Sequence, residues 1–390
     1  MSKRIFLIVP DGFGIGEMPD AHLYGDEGSN TLAAVHSSEL FNVPGMGLLG
    51  LFHIDGVARD GWHPQAFGCY GRMAAKSPGK DTTTGHWEMA GLVLEKPFPV
   101  FPNGFPEEAL ARLRESTGRE ILCNKPYSGT KVIDDYGRLH MQTGALIVYT
   151  SADSVLQIAA HEDVVPLDEL YRACESARQI MQNELAVARI IARPFTGEYP
   201  NFTRTANRRD YSLEPGDTML DYLKNAGLDV IGVGKISDIF AGRGITRSIK
   251  TKNNNEGMRA VSEIIREDFC GLCFVNLVDF DMLYGHRGDI DGYAQALTDF
   301  DRDLQELMLL LRDDDILILT SDHGCDPSTP STDHSREYVP LLVYGSRLRQ
   351  NINLGTRETF ADTAATVLEY FGLPQMTPAK SFLHEITGVK

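Results

Sequence analysis

The chain has 390 residues and a formal net charge of −17, from 37 basic and 54 acidic residues. That length allows two or three domains, or one large domain carrying an insertion. The acidic balance excludes a general binder of nucleic acid or anionic membrane, which needs a basic face; it leaves room for a small cationic pocket and for carboxylates neutralised by metal cations.

Ile5 to Val9 is a short apolar run that stops at Pro10-Asp11-Gly12, which predicts a strand with Asp11 at its carboxyl end. Residues 12–75 are broken by Gly and Pro and carry no readable period. A Pro-rich passage, Pro97 to Pro102, has the composition of a crossing between domains. Beyond it a middle block has its own elements: a helix over 106–116, a strand over 145–150, a helix over 167–185 and a strand over 187–192. The polar stretch Asn201 to Asp210 reads as the end of that block. From Asp217 apolar strands again alternate with helices: helix 219–225, strand 229–233, helix 257–267, strand 272–278, helix 293–311, strand 316–320, strand 339–344 and helix 360–371. Such alternation predicts a parallel sheet covered on both faces.

Six cysteines are too sparse for a disulfide framework. Cys270-Gly-Leu-Cys273 has redox or zinc spacing, but it has no second pair and runs into an apolar strand, so buried structural thiols are expected. The apolar run after Met1-Ser2-Lys3-Arg4 is too short for a signal peptide or a membrane span, which sets the expectation of a soluble cytoplasmic protein.

The chemistry concentrates in a few places. Asp81-Thr82-Thr83-Thr84-Gly85-His86-Trp87-Glu88 offers three equivalent hydroxyls at a predicted helix start, where backbone N–H groups favour an anion. A hydroxyl needs an activator before it attacks anything. Three apolar strands end in metal-type ligands: Asp11 after the first, Asp279-Phe-Asp281 with His286 after another, and Asp322-His323 after a third. His334 follows 11 residues after His323 on a polar loop. One Asp after a strand is ordinarily a cap, but caps have no need of imidazole. Mixed carboxylate and imidazole ligands suit Mn²⁺ or Zn²⁺, and six of them divide into two sites of three. Two metals about 4 Å apart clamp the attacking and leaving oxygens of a phosphoryl transfer. Strand periodicity leaves Asp279 and Asp281 undecided.

These motifs resemble the phosphopentomutase family of the alkaline phosphatase superfamily. The resemblance spans nearly the whole chain and rests on Asp11 to Glu17, Gly79 to Glu88, Tyr149 to Gln157, Ile191 to Phe195, Asn201 to Arg204, Gly234 to Asp238, Asn276 to Asp289, Ser321 to Gly324 and Thr332 to Arg336. Asp-His-Gly alone marks only the superfamily; the Thr stretch together with Ser-Ala-Asp-Ser-Val-Leu-Gln is specific to the mutase. Pro10, Gly12 and Thr83 depart from the family pattern.

The resemblance implies an α/β fold: an alkaline-phosphatase-like core with a mostly parallel sheet covered by helices on both faces, plus an inserted smaller α/β cap domain. The core would occupy 1–97 and 213–390 and the cap 98–212. It implies an isomerase that interconverts (deoxy)ribose 1-phosphate and (deoxy)ribose 5-phosphate through a phosphothreonine at Thr82 and a bisphosphate intermediate. Two Mn²⁺ per chain would be held by Asp11, Asp322 and His323 and by Asp281, His286 and His334. Contacts to the pentose phosphate fall to Ser151, Asp153, Ile191, Arg204, Arg208 and Arg209, with Lys235 from the core; the arginines also suit a solvated surface cluster. A bisphosphosugar activator of the ribose 1,5-bisphosphate or glucose 1,6-bisphosphate type is implied, and no obligate protein partner. The alternatives are a phosphatase, phosphodiesterase or cofactor-independent phosphoglycerate mutase of the same superfamily, or a non-catalytic sugar-phosphate binder.

Overall fold

A computed structural model describes residues 3–57, 65–151, 153–376 and 379–388. Among them run the strands β1 (Arg4–Pro10), β2 (Cys69–Met73), β3 (Ile121–Pro126), β4 (Leu146–Thr150), β5 (Val155–His161), β6 (Arg189–Glu198), β7 (Asn201–Arg204), β8 (Arg209–Ser212), β9 (Asp229–Val233), β10 (Arg247–Ile249), β11 (Gly271–Leu277), β12 (Asp315–Thr320), β13 (Val339–Tyr344) and β14 (Ile352–Arg357). The chain divides into two compact units, one of residues 1–97 and 215–390, the other of residues 98–214.

The first unit is built on an eight-stranded sheet in the order β10-β9-β11-β1-β12-β13-β2-β14. The five strands from β10 to β12 run parallel, β13 runs antiparallel to both its neighbours, and β14 is parallel to β2. Every residue of β1, β11 and β12 is buried, which is why these strands read as unbroken apolar runs. Helices Asn254–Ile264 and Ile290–Met308 press Met258, Val261, Leu297 and Leu304 onto one face of the sheet. Helix Asp362–Tyr370 is likewise buried along most of its length. Each fully buried side chain of this size contributes roughly 1.5–3 kcal/mol against exposure.

The second unit carries a sheet in the order β3-β4-β5-β6-β7, with β8 also paired to β6. Alternate residues of β4 face opposite ways. Leu146 and Val148 pack with Leu110, Leu113 and Leu170 from helices Glu107–Thr117 and Leu167–Ile180. Ile147 and Tyr149 pack with Val132, Ile133 and Phe202, two of them from helix Lys131–Thr143.

Several elements differ from the sequence expectation. The polar stretch from Asn201 is no terminus of the block: it pairs with β6 as β7 and leads into β8, and Phe202 anchors it against Phe195 at 5.3 Å between ring centroids. Helix 167–185 stops at Ile180, and β6 begins at Arg189 and continues to Glu198. Residues 12–75 contribute β2 to the interior of the first sheet. All six cysteines are free; burial pushes the Cys273 thiol up to about 12, in keeping with a structural role, whereas Cys270, at the mouth of the strand, is only half-buried.

Candidate active site

β1 pairs in parallel with both β11 and β12, with Pro10 opposite Leu277 and Ile8 opposite Leu319. Three residues past that last pair lie Asp11 and Asp322, so the register alone delivers both carboxylates to one edge. Pro10 and Gly12 find their reason here. The Pro10 carbonyl accepts a hydrogen bond from Ser321 Oγ at 2.7 Å, and Gly12, at φ +78°, turns its N–H to Asp322 Oδ1 at 3.1 Å. Beyond β11 the chain enters a wide helical turn, Phe280–Tyr284, which carries Asp281 inward and is followed by His286. Asp279 is otherwise engaged: its Oδ2 accepts the Asn254 N–H at 2.7 Å and its own N–H donates back to Asn254 Oδ1. A two-way backbone bridge between Gly324 and Ser335 folds the loop after β12 back on itself, so that the His323 and His334 rings lie 4.0 Å apart.

The six expected ligands therefore converge. His323 Nε2 lies 3.4 Å from Asp11 Oδ1 and 3.3 Å from Asp322 Oδ2; Asp281 lies 3.2 Å from His286 Nε2 and 3.3 Å from His334 Nε2. Two groups present ligand atoms within 4.8 Å of one another: Asp281, His286 and His334, and Asp11, Asp281 and His323. Asp281 thus stands in both, while Asp322 reaches the second group through His323. No hydrogen bond reaches the buried oxygens Asp11 Oδ1, Asp281 Oδ1 or Asp322 Oδ2. Three close, buried carboxylates require positive charge. In this arrangement protons supply it: burial opposes the charge on His323, yet Asp322 and Asp11 hold its imidazole up at about 10. Asp322 is held down to about 2 against burial by His323 and His86, and Asp281 is driven well below the carboxylate range against burial by His334 and His286. Divalent cations answer the same need with neutral imidazoles and occupy the orphaned oxygens, so the donor set fits them.

Helix Thr82–Met89 brings the hydroxyls to this cluster. Asp81 caps it, accepting from the Thr84 N–H at 3.1 Å and the Thr84 hydroxyl at 2.6 Å. Thr83 and Thr84 are buried. The half-buried Thr82 sets its Oγ1 3.2 Å from His323 Nε2. A Cβ at Gly85 would lie 2.2 Å from the Asp322 carbonyl oxygen, so only glycine lets this helix approach. The loop before it is clamped by the buried Arg336, which donates to the carbonyls of Ala75, Ser77 and Gly79 and to Asp20. Lys80 is spent on Asp26 and Asp333.

This chain matches the Metalloenzyme superfamily over residues 3–375. The phosphopentomutase of Lachnoclostridium phytofermentans is 59% identical over 387 residues, covering 98% of this chain and 99% of that protein. That of Carboxydothermus hydrogenoformans is 61% identical over 376 residues, covering 95% and 96%. The chain belongs to the phosphopentomutase family. As a member of that family it is an isomerase, on the alkaline-phosphatase-like α/β core that its motifs implied, and a binder of divalent metal, for which the clustered carboxylates and imidazoles are candidate ligands. The alternatives of a phosphatase, a phosphodiesterase or a phosphoglycerate mutase are not favoured by these relatives.

The remaining expected contacts of this phosphopentomutase-family chain fall in both units. Lys235, half-buried at the start of the short helix Ile236–Ile239, acts electrostatically on Asp279. In the second unit Ser151 and the exposed Asp153 follow β4, and Ile191 is buried on β6 opposite Asp210. Arg204 donates to the Gly129 carbonyl, Arg208 pairs with Asp210 at 2.6 Å, and Arg209 lies 3.9 Å over the Tyr171 ring. Sequence reasoning passed over Arg193. It sits two residues from Ile191 on β6 and donates to Gln157 Oε1 at 3.0 Å; burial, with Arg208 and Arg204 adding, lowers its guanidinium to about 10. Its position inside the Ile-Ala-Arg-Pro-Phe motif was the available signal.

Proposed function

We propose that the chain interconverts ribose or deoxyribose 1-phosphate and the corresponding 5-phosphate, with Thr82 carrying the phosphoryl group between the two positions. What supports this reading above all is the Thr82 hydroxyl, 3.2 Å from His323 Nε2 at the edge of a cluster of orphaned carboxylates. Asp11, Asp322 and His323 would hold one ion and Asp281, His286 and His334 the other, with Mn²⁺ the proposed metal among the divalent ions that mixed oxygen and nitrogen donors accept. Bound divalent ions supply charge neutralisation for the phosphoryl oxygens and lower the pKa of a neighbouring hydroxyl.

Phosphorylated Thr82 meets a sugar monophosphate. The free sugar hydroxyl forms an O–P bond as the Thr82 Oγ–P bond breaks, and its proton ends on the departing Thr82 Oγ. Thr82 Oγ then forms a bond to the other phosphorus of the bisphosphate as the sugar O–P bond breaks, its proton passes to the departing sugar oxygen, and the isomeric monophosphate leaves. Thr82 is the first residue of its helix, so the N–H groups of Thr82 and Thr83, which the helix itself does not use, favour the phosphate it carries, the Thr84 N–H being taken by Asp81. Asp81 keeps the turn in shape, and Arg336 fixes the preceding loop, so the oxygen is positioned before reaction. In the second unit Arg204 and Arg208, joined by Arg193 and with Ser151 and Asp153 toward the sugar, would bind the phosphate not in transfer; guanidinium forks suit that task. Resting enzyme would be primed by a bisphosphosugar of the ribose 1,5-bisphosphate or glucose 1,6-bisphosphate type. On this reading the enzyme would work in the cytoplasm, where its phosphorylated sugars are held.

The test is a coupled assay on ribose 1-phosphate and ribose 5-phosphate with Mn²⁺, with and without the primer. Isomeric product without released phosphate is expected, and Thr82→Ala should abolish it, by roughly 10⁴-fold or more. Stoichiometric release of inorganic phosphate, or turnover by the Thr82→Ala protein, would overturn the reading.

A further inference from the structure

His86 takes no part in the reaction sketched above, yet it is completely buried beside the site. Its ring stacks on Phe274 of β11 at 5.6 Å and 26°. Its Nδ1 faces two oxygens that can only accept, the Thr82 carbonyl at 2.9 Å and Asp322 Oδ2 at 3.2 Å, which places the ring proton on Nδ1. Its Nε2 is then an acceptor, and the Asn276 side-chain nitrogen lies 3.4 Å from it. The same nitrogen donates to Asp11 Oδ2 at 2.8 Å. Turning that amide over would set its oxygen against the carboxylate, so the nitrogen must face Asp11.

One chain of contacts thus runs from Asp11 through Asn276 and His86 to Asp322 and the Thr82 backbone, joining two ligands from different strands to the residue bearing the nucleophile. We infer that His86 and Asn276 are a positioning pair, which holds the Asp11 and Asp322 carboxylates at a fixed spacing for a divalent cation and holds Thr82 against them. The inference rests on the proposed roles of Thr82 and the six ligands. A ring that merely filled space against Phe274 would need neither nitrogen; here both are used. Partners of ligating groups orient those ligands, and losing one ordinarily lowers metal affinity or activity roughly 10- to 100-fold.

The experiment is Mn²⁺ titration of the metal-stripped full chain by calorimetry, alongside steady-state kinetics. His86→Phe keeps an aromatic ring on Phe274 and removes both nitrogens. Its Mn²⁺ affinity should fall roughly 10- to 100-fold at one of two sites, and kcat should fall with KM nearly unchanged. His86→Asn, which can restore a donor where Nδ1 stood, should recover much of both. Asn276→Leu should reproduce the loss, and the double variant should be little worse than either single one, because both act through one set of contacts. Wild-type Mn²⁺ affinity and kcat in His86→Phe or Asn276→Leu, whatever the melting temperature, would overturn the inference; should His86→Phe not fold, Asn276→Leu and His86→Asn decide it. Thr82→Ala separates the two levels: it should bind Mn²⁺ as wild type does while losing turnover. Turnover by Thr82→Ala would sink the nucleophile assignment and leave the metal result for His86 standing.

Discussion

Strands β1 and β12 carry buried charge at both ends, and the two ends are built differently. At the amino end Arg4 stands opposite Asp315 in register, and both are essentially without solvent. Arg4 Nε donates to Asp315 Oδ1 at 2.8 Å, and its Nη1 donates to the carbonyls of Ile265 and Glu267 at 2.8 Å each. Asp315 Oδ2 takes the second fork of the guanidinium and the Arg312 N–H. At the carboxyl end of the same strands Asp11 and Asp322 each leave a buried oxygen without a hydrogen bond, and Asp281 beside them does the same. Burial of charge is common to both ends, so burial does not distinguish them. The kind of compensation does: the first set is closed by hydrogen bonds from a guanidinium and backbone, whereas at the other end imidazoles 3.2–3.4 Å away stand where a cation would, and oxygens stay without a hydrogen bond.

Removing a charge at either end tests this difference. The largest effect belongs to the open end. Asp281 stands in both ligand groups, so Asp281→Ala should lower bound metal, measured by elemental analysis, and cut turnover on the order of a thousandfold, about 4 kcal/mol, while the chain still folds. Full metal content and activity in that variant would break the comparison. Arg4→Met at the closed end should do the reverse. It strands Asp315 without its counter-charge and should destabilise by about 3–5 kcal/mol in denaturant unfolding, with metal content unchanged. Adding Asp315→Leu should restore much of that stability. If Arg4→Met lost metal instead, the two ends would not be independent.

The legibility of the sequence follows the same physics. β1, β11 and β12 are buried on both faces and stand out as apolar runs, but β2 alternates buried and half-buried residues, β10 has three residues, and β7 and β8 are short polar edge partners of β6. Polar composition at an edge looks the same as a loop. Asp11, Asp322 and His323 were visible because a strand end is a place, and His334 because imidazole has no use as a cap. Asp279 and Asp281 could not be separated by a two-residue period because no strand exists there: the wide turn Phe280–Tyr284 replaces it, and the period no longer applies. The partition of ligands between two ions, and the choice of Thr82 among three hydroxyls, depend on distances that spacing along the chain does not contain.

The smallest predicted effect extends the comparison beyond the sheet of the first unit. Arg193 in the second unit is a half-buried cation that donates to the neutral Gln157, with Arg208 and Arg204 acting on it as like charges and Asp210 drawing it only weakly. By the criterion of compensation it belongs with the open end, as a group that awaits an anion. Arg193→Ala should therefore raise KM for the sugar phosphate about 10- to 100-fold, the worth of a charged hydrogen bond of about 1.5–3 kcal/mol, with a smaller change in kcat. Its melting temperature should change little, because the substitution relieves repulsion from Arg208 and Arg204 and severs no close ion pair. A drop in stability with KM unchanged would place Arg193 with Arg4, as a cation whose partner is the fold.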